Sequence, residues 1–201
     1  MEAAENAGEG KRTIITVARQ MGSAGREVGR LVSERLGYRL VWREVINQAA
    51  RRGGAPEAAL AVIDELGLLG IQPSDAEYDA YREAVQQVIL ELAQEGRIVI
   101  VGRAGQAILA GRPDVLHVRL IAPADLRAQR VAGWQKIPLA SARAQIRASD
   151  KYRRKYLRRF YNQDWDDPNL YDLTLNTGRL SPGQAADLIC AAALGEVQVT
   201  G

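Results

Sequence analysis

The residues best suited to chemistry lie together in Ile14-Ile15-Thr16-Val17-Ala18-Arg19-Gln20-Met21-Gly22-Ser23-Ala24-Gly25-Arg26-Glu27-Val28-Gly29-Arg30. A β-branched run feeds a turn of small residues, Gly22 to Gly25, and the turn opens an amphipathic helix. That layout turns backbone N–H groups and a helix N-terminus toward an anion, the usual way of holding a phosphate. Against the phosphate-loop pattern G-x-x-x-x-G-K-[ST], Gly25 stands at the second glycine; Gln20 replaces the first, Arg26 the lysine and Glu27 the hydroxyl residue. Gly22 and Gly25 permit close backbone approach, and Arg26 supplies a permanent, bidentate cation for phosphate oxygens. Glu27 has no neutral hydroxyl to offer Mg²⁺. The same residues also describe a tight turn between strand and helix that binds nothing.

A scaffold that would aim this turn can be read from the periodicity. A strand is expected at 13–17 and a helix at 25–36, with Val28, Leu31, Val32 and Leu36 on one face and Gly37 as its stop. Further strands are expected at 38–41, 97–101, 115–121 and 171–176. Ile98-Val99-Ile100-Val101 is apolar throughout, as in the buried centre of a parallel sheet. Helices are expected near 43–51, 56–66, 74–94 (Ser74 and Glu77 at capping-box spacing), up to about 110, from 122, over 139–159 and at 181–193. Strands separated by helices imply right-handed crossovers and helices on both faces of a mainly parallel sheet. Ligands of such sheets bind at the strands' carboxyl ends, which here carry residues 22–26, Trp42-Arg43-Glu44, Gly102-Arg103 and the loop after Ile121. One domain over 12–195 is expected, between a disordered tail at 1–11 and a short C-terminal tail at 196–201.

Composition narrows the chemistry. With one histidine and one cysteine, a His/Cys zinc site within the chain is excluded, and so is an intramolecular disulfide. Cys190 reads as a buried small hydrophobe, His117 as a partly exposed strand residue. No apolar stretch is long enough to span a membrane and the polar start resembles no signal peptide, so the cytoplasm is the default. The net charge of +3 is unevenly spread: between residues 127 and 159 every ionised side chain is basic except Asp150. Such a run is a solvated helix face, or a surface for phosphorylated small molecules or for nucleic acid. Tyr152 and Tyr156, four apart on that helix, read as core packing rather than base stacking, so nucleic acid is not the expected partner. Oligomeric state is left open.

The blocks taken together resemble the cytidylate kinase-like proteins, relatives of the P-loop nucleoside-monophosphate kinases. The likeness rests on residues 18–29, on Arg43-Glu44-Val45-Ile46, on Ile98 through Gly102-Arg103, and on Asp150-Lys151 through Trp165-Asp166-Asp167-Pro168-Asn169-Leu170-Tyr171-Asp172-Leu173-Thr174-Leu175-Asn176-Thr177. It implies a P-loop kinase fold, a three-layer α/β/α sandwich around a five-stranded mainly parallel sheet with a helical lid at about 134–165. It also implies ATP with Mg²⁺ as donor and a pyrimidine nucleoside monophosphate as acceptor. Carried over, Gly22, Ser23, Ala24, Gly25, Arg26 and Glu27 would form the ATP site. Trp42, Arg43, Glu44 and Arg103 would form the acceptor site, and Lys151, Arg153 and Arg154 would belong to the lid. Arg26, Arg103, Lys151 and Arg154 would be the cations of the transfer step. In related sequences an aspartate typically precedes Arg43-Glu44. Here Trp42 stands there, and an indole can stack on a base but cannot accept a proton or hold Mg²⁺. Glu27, Glu44 and Asp150 remain as candidate carboxylates, with the Mg²⁺ ligands unassigned.

Overall fold

A computed structural model describes residues 12–42, 47 and 75–195. The expected tails, the helices near 43–51 and 56–66, the Ser74 cap, and the candidate site residues Arg43 and Glu44 lie outside them.

Five strands form one parallel sheet: β1 (Ile14–Arg19), β2 (Arg39–Val41), β3 (Ile98–Val101), β4 (Val115–Ile121) and β5 (Leu173–Asn176), in the order β2-β3-β1-β4-β5. β1 lies at the centre, with Ile14 in register with both Ile98 and Val115. Its position follows from its composition, because β1 and β3 are apolar on both faces and all four residues of β3 are buried. One face packs Ile14, Ile98, Ile100 and Val115 against Tyr81, Val85 and Ile89 of α2 (Asp75–Glu95). The other packs Ile15, Val17, Val99 and Val118 against Val28 and Val32 of α1 (Gly25–Leu36) and Ala186 and Ile189 of α6 (Pro182–Leu194). Burial of each such isoleucine contributes roughly 1.5–3 kcal/mol. The remaining helices among the described residues are the single turn α3 (Gly105–Ile108), α4 (Ala124–Gln135) and α5 (Leu139–Tyr161), with a 3₁₀ turn at Pro168–Leu170.

The element boundaries depart from the sequence reading for local reasons. β1 continues to Arg19 because β4 is long enough to pair with it there, Arg19 opposite Leu120. β3 starts at Ile98 because Arg97 has φ +50°, outside the extended region. β5 starts at Leu173 because Tyr171 closes the 3₁₀ turn. Helix α1 has the expected bounds, and Gly37 ends it with φ +64°. Helix α6 is opened by a capping box, Ser181 with Gln184, and Pro182 in its first turn. His117 is half-buried on β4, its Nδ1 2.7 Å from Thr16 Oγ1. Cys190 is half-buried against the second core, and Tyr152 and Tyr156 pack inward, as their spacing implied.

From central β1 the chain moves one way to β2 and β3, then crosses back to β4. The loop after β1 therefore lies at the switch in strand order, where doubly wound sheets open a crevice.

Candidate active site

The loop after β1 has little conformational choice. Gly22 has φ +82°, and a Cβ there would lie 2.6 Å from the Arg127 carbonyl oxygen and 2.9 Å from Arg127 Cα. At Gly25 a Cβ would meet Arg19 Cγ at 2.8 Å. Between them Ser23 is buried: its hydroxyl donates to the Gln20 carbonyl at 2.8 Å, and its own carbonyl accepts from Thr177 Oγ1 at 2.9 Å. Ala24, at φ +56°, caps α1 without any side-chain acceptor. The first-turn amides of α1 have no partner within the helix, so they face whatever occupies the loop's concavity.

That concavity is a cavity of about 540 Å³ at the carboxyl edge of the sheet, lined among others by Gly22, Ala24, Gly25, Arg26, Glu27 and Trp42. Arg19, Arg26, Arg130 and Arg153 also border it, so that four arginines and one acidic residue, Glu27, are among its lining residues. Its lining is basic and aromatic. Arg26 lies over the Trp42 ring, 5.6 Å from the centroid. Trp134, at the end of α4, is 66% exposed and borders the opening with Pro182.

The structure thus brings together every expected residue of the first block except Ser23, which braces the loop from behind, and it adds Trp42 from the acceptor set. It does not bring Arg103, Lys151 or Arg154 to this cavity. Arg103, at φ +56° just after β3, donates from Nη2 to Asn47 Oδ1 at 2.8 Å and lies 5.9 Å from the Tyr81 ring. Lys151 is exposed on α5. Arg154 is ion-paired with Asp166, which also binds the buried Arg119. Burial alone would raise the Asp166 carboxyl, but Arg154 and Arg119 outweigh it and hold it below the usual carboxylate range. Arg119 in turn lies 4.9 Å from the Trp165 ring and 5.5 Å from that of Tyr171, so this cluster anchors α5 to β4. The basic run is therefore not a bare charged face: Arg127, Arg143 and Arg154 are paired with Asp150, Asp125 and Asp166.

Sequence reasoning passed over Arg19, Gln20, Arg130, Trp134 and Pro182. Arg19 and Gln20 lay inside the first block and could have been singled out as its non-glycine polar positions. Arg130 and Trp134 are four apart on one helix face, a weak signal without the exposure that only the fold reveals. Among the described residues no three of His, Cys, Asp and Glu gather as a metal site. Of the candidate carboxylates, Asp150 is 2.9 Å from Arg127 and buried with it, while Glu27 is exposed and faces the cavity.

Residues 14–179 match the cytidylate kinase-like family. The chain is similar to the cytidylate kinase of Methanopyrus kandleri, 27% identical over 188 residues that cover 89% of this chain and 92% of the relative. The cytidylate kinase of Pyrococcus horikoshii is 28% identical, with 90% and 88% covered. Among solved structures, an uncharacterized protein from Eubacterium ventriosum superposes with a TM-score of 0.73 at 20% identity, covering 90% of this chain and 98% of that one. A shikimate kinase from Acinetobacter baumannii in complex with shikimate gives 0.55 at 18% identity, with 93% and 96% covered. With a glycine-bearing loop after the central strand of a five-stranded parallel sheet and a family match over most of its length, the chain has a P-loop kinase fold and belongs to the cytidylate kinase-like family.

Proposed function

We propose that the protein transfers the γ-phosphoryl group of ATP to a nucleoside monophosphate, CMP or dCMP before others. The observation that carries this reading is the cavity at the carboxyl edge of the sheet, lined by Gly22, Ala24 and Gly25 of the loop, by four arginines and by two tryptophans. Phosphoryl transfer asks a protein mainly for positioning and for neutralisation of charge on the equatorial oxygens. The amides of Gly22 and of residues 24–27, with the Arg26 side chain, would bind the donor phosphates, and Arg153 borders the same cavity from α5. Arg103, one strand over, would take the acceptor phosphate, exchanging its contact with Asn47 for it. Lys151 and Arg154 are proposed as lid cations that act on closure of the region 134–165. Glu27, the one carboxylate among the cavity's described lining residues, would be the residue to hold a Mg²⁺ that accompanies the nucleotide. Bound there, the ion would supply charge neutralisation between donor and transferring phosphoryl group. The pyrimidine preference draws on the names of the two relatives.

Trp42 favours a second reading, a catalytically weak nucleotide sensor. It places an indole on the cavity wall and over Arg26, where the resemblance implies an aspartate, and an indole can neither hold a metal nor accept a proton. A panel of ribo- and deoxynucleoside monophosphates with Mg-ATP, read by direct detection of the diphosphate product, separates the two. Product from CMP or dCMP supports the kinase. No product from any acceptor, with ATP binding still measurable, supports the sensor.

A further inference from the structure

The phosphate loop is held from behind by side chains, one carbonyl after another. Arg127 Nη1 donates to the Met21 carbonyl at 3.2 Å, Arg130 Nη1 to that of Gly22 at 3.3 Å, and Thr177 Oγ1 to that of Ser23 at 2.9 Å. With three successive carbonyls drawn backward, the amides of Gly22 and Ala24 are left to face the cavity, while that of Ser23 donates to the Gln20 carbonyl at 3.2 Å. Arg127 is buried, and its Nε also donates to the Ala122 carbonyl at 3.1 Å. A buried guanidinium needs a counter-charge. It has Asp150 of α5, whose Oδ2 lies 2.9 Å from the same Nη1 that holds Met21. The other oxygen of Asp150 is buried without a hydrogen bond and faces Arg153, a residue of the cavity wall, at 3.9 Å. The Met21 side chain is packed by α4 and α5 together, through Ala128, Val131, Ala142 and Ile146.

We infer that Asp150 is a positioning residue for the phosphate loop: through Arg127 it fixes the backbone at Met21, and through Arg153 it orients a cavity cation. This deepens the nucleotide reading of the cavity and rests on it for its ligand. As the sole acidic residue in the basic segment, Asp150 is spent on neither metal nor acceptor but on the geometry of the donor site.

Two variants test it. Asp150→Asn removes the charge opposite Arg127 and keeps the side chain's size. Arg127→Met combined with Asp150→Leu replaces the buried pair by apolar groups, a change that elsewhere is often neutral or stabilising. Amide hydrogen exchange of residues 20–27 without nucleotide is read beside the melting temperature and the calorimetric affinity for ATP. Asp150→Asn should speed loop exchange and weaken ATP binding by about tenfold each, the effect of losing one hydrogen bond to a charged group. The apolar pair should regain the parent melting temperature yet keep both loop defects. Loop exchange and ATP affinity that recover along with the melting temperature would overturn the inference, leaving the pair purely structural. Unchanged loop exchange in Asp150→Asn would overturn it as well. Because exchange is measured without ligand, a parent protein that binds no ATP counts against the nucleotide reading while the loop still decides this inference. If the apolar pair does not fold, Asp150→Asn alone decides: faster exchange confined to residues 20–27 supports the inference, and a uniform rise through β1 and β3 refutes it.

Discussion

Replacing Gly22 by alanine tests the packing of the loop after β1 on α4. Two costs add at that position. An L-residue held at φ +82° loses roughly 1–2 kcal/mol against an extended or helical conformation. The new methyl group would also lie 2.6 Å from the Arg127 carbonyl oxygen and 2.9 Å from its Cα, backbone atoms that cannot swing aside, and such overpacking costs about 1–3 kcal/mol. Gly111 separates the two terms, since it has φ +76° and a methyl group added there would meet nothing within 4 Å. Gly111→Ala should therefore show the backbone cost alone. Gly22→Ala should fall a further ~1–3 kcal/mol, or several degrees at about 2–4 °C per kcal/mol for a chain of this size. Thermal melts of both variants, with urea titrations as a check, read the difference, and ATP titration should show weakened binding only in Gly22→Ala. Equal melting temperatures for the two variants would refute the close approach of loop and α4, and with it the account of how the loop is held.

Arg26→Ala should weaken ATP binding by about 1.5–3 kcal/mol, the worth of a hydrogen bond to a charged group, with the fold intact. Unchanged calorimetric affinity would make the cation over Trp42 incidental. His117 gives a pH prediction: burial holds its imidazole below the ordinary value near 6.5, with the Asp172 carboxylate pulling the other way. The native state then resists protonation, so stability is complete above pH ~6.5 and declines as pH falls below it, with a slope no steeper than about 1.4 kcal/mol per pH unit. Because the chain has a single histidine, His117→Gln should flatten urea midpoints measured between about pH 7.5 and 5.5; equal slopes in parent and variant would assign the effect elsewhere. A fluorescent oligonucleotide should bind weakly and dissociate near ~0.15 M salt, because Arg127, Arg143 and Arg154 are already ion-paired. Tight binding at that salt, undisplaced by ATP or CMP, would reassign α5 to nucleic acid.

Much of the scaffold was legible because it is written in local periodicity. The apolar runs of β1 and β3, the face of α1 and its glycine stop each announce themselves within a dozen residues. The loop was legible for a related reason: small residues between a strand and a helix leave few other conformations. What the sequence could not convey is which charges meet. Arg127, Lys151 and Arg154 look alike along the chain, yet one is buried under the loop, one is exposed, and one is tied to Asp166. Asp150 read as a metal or acceptor ligand because its partner lies 23 residues away on a neighbouring helix. The cavity's outer wall, Trp134 with Pro182, joins residues from α4 and α6 whose proximity exists only once the sheet is assembled.

The central claim is phosphoryl transfer from the loop after β1, and label transfer measures it most directly. The protein is incubated with γ-labelled ATP, Mg²⁺ and CMP, with Arg26→Ala in parallel. Label should appear in CDP with turnover, and the variant should lose most of it. Label that stays in ATP or leaves only as inorganic phosphate, while ATP binds normally, would contradict the claim.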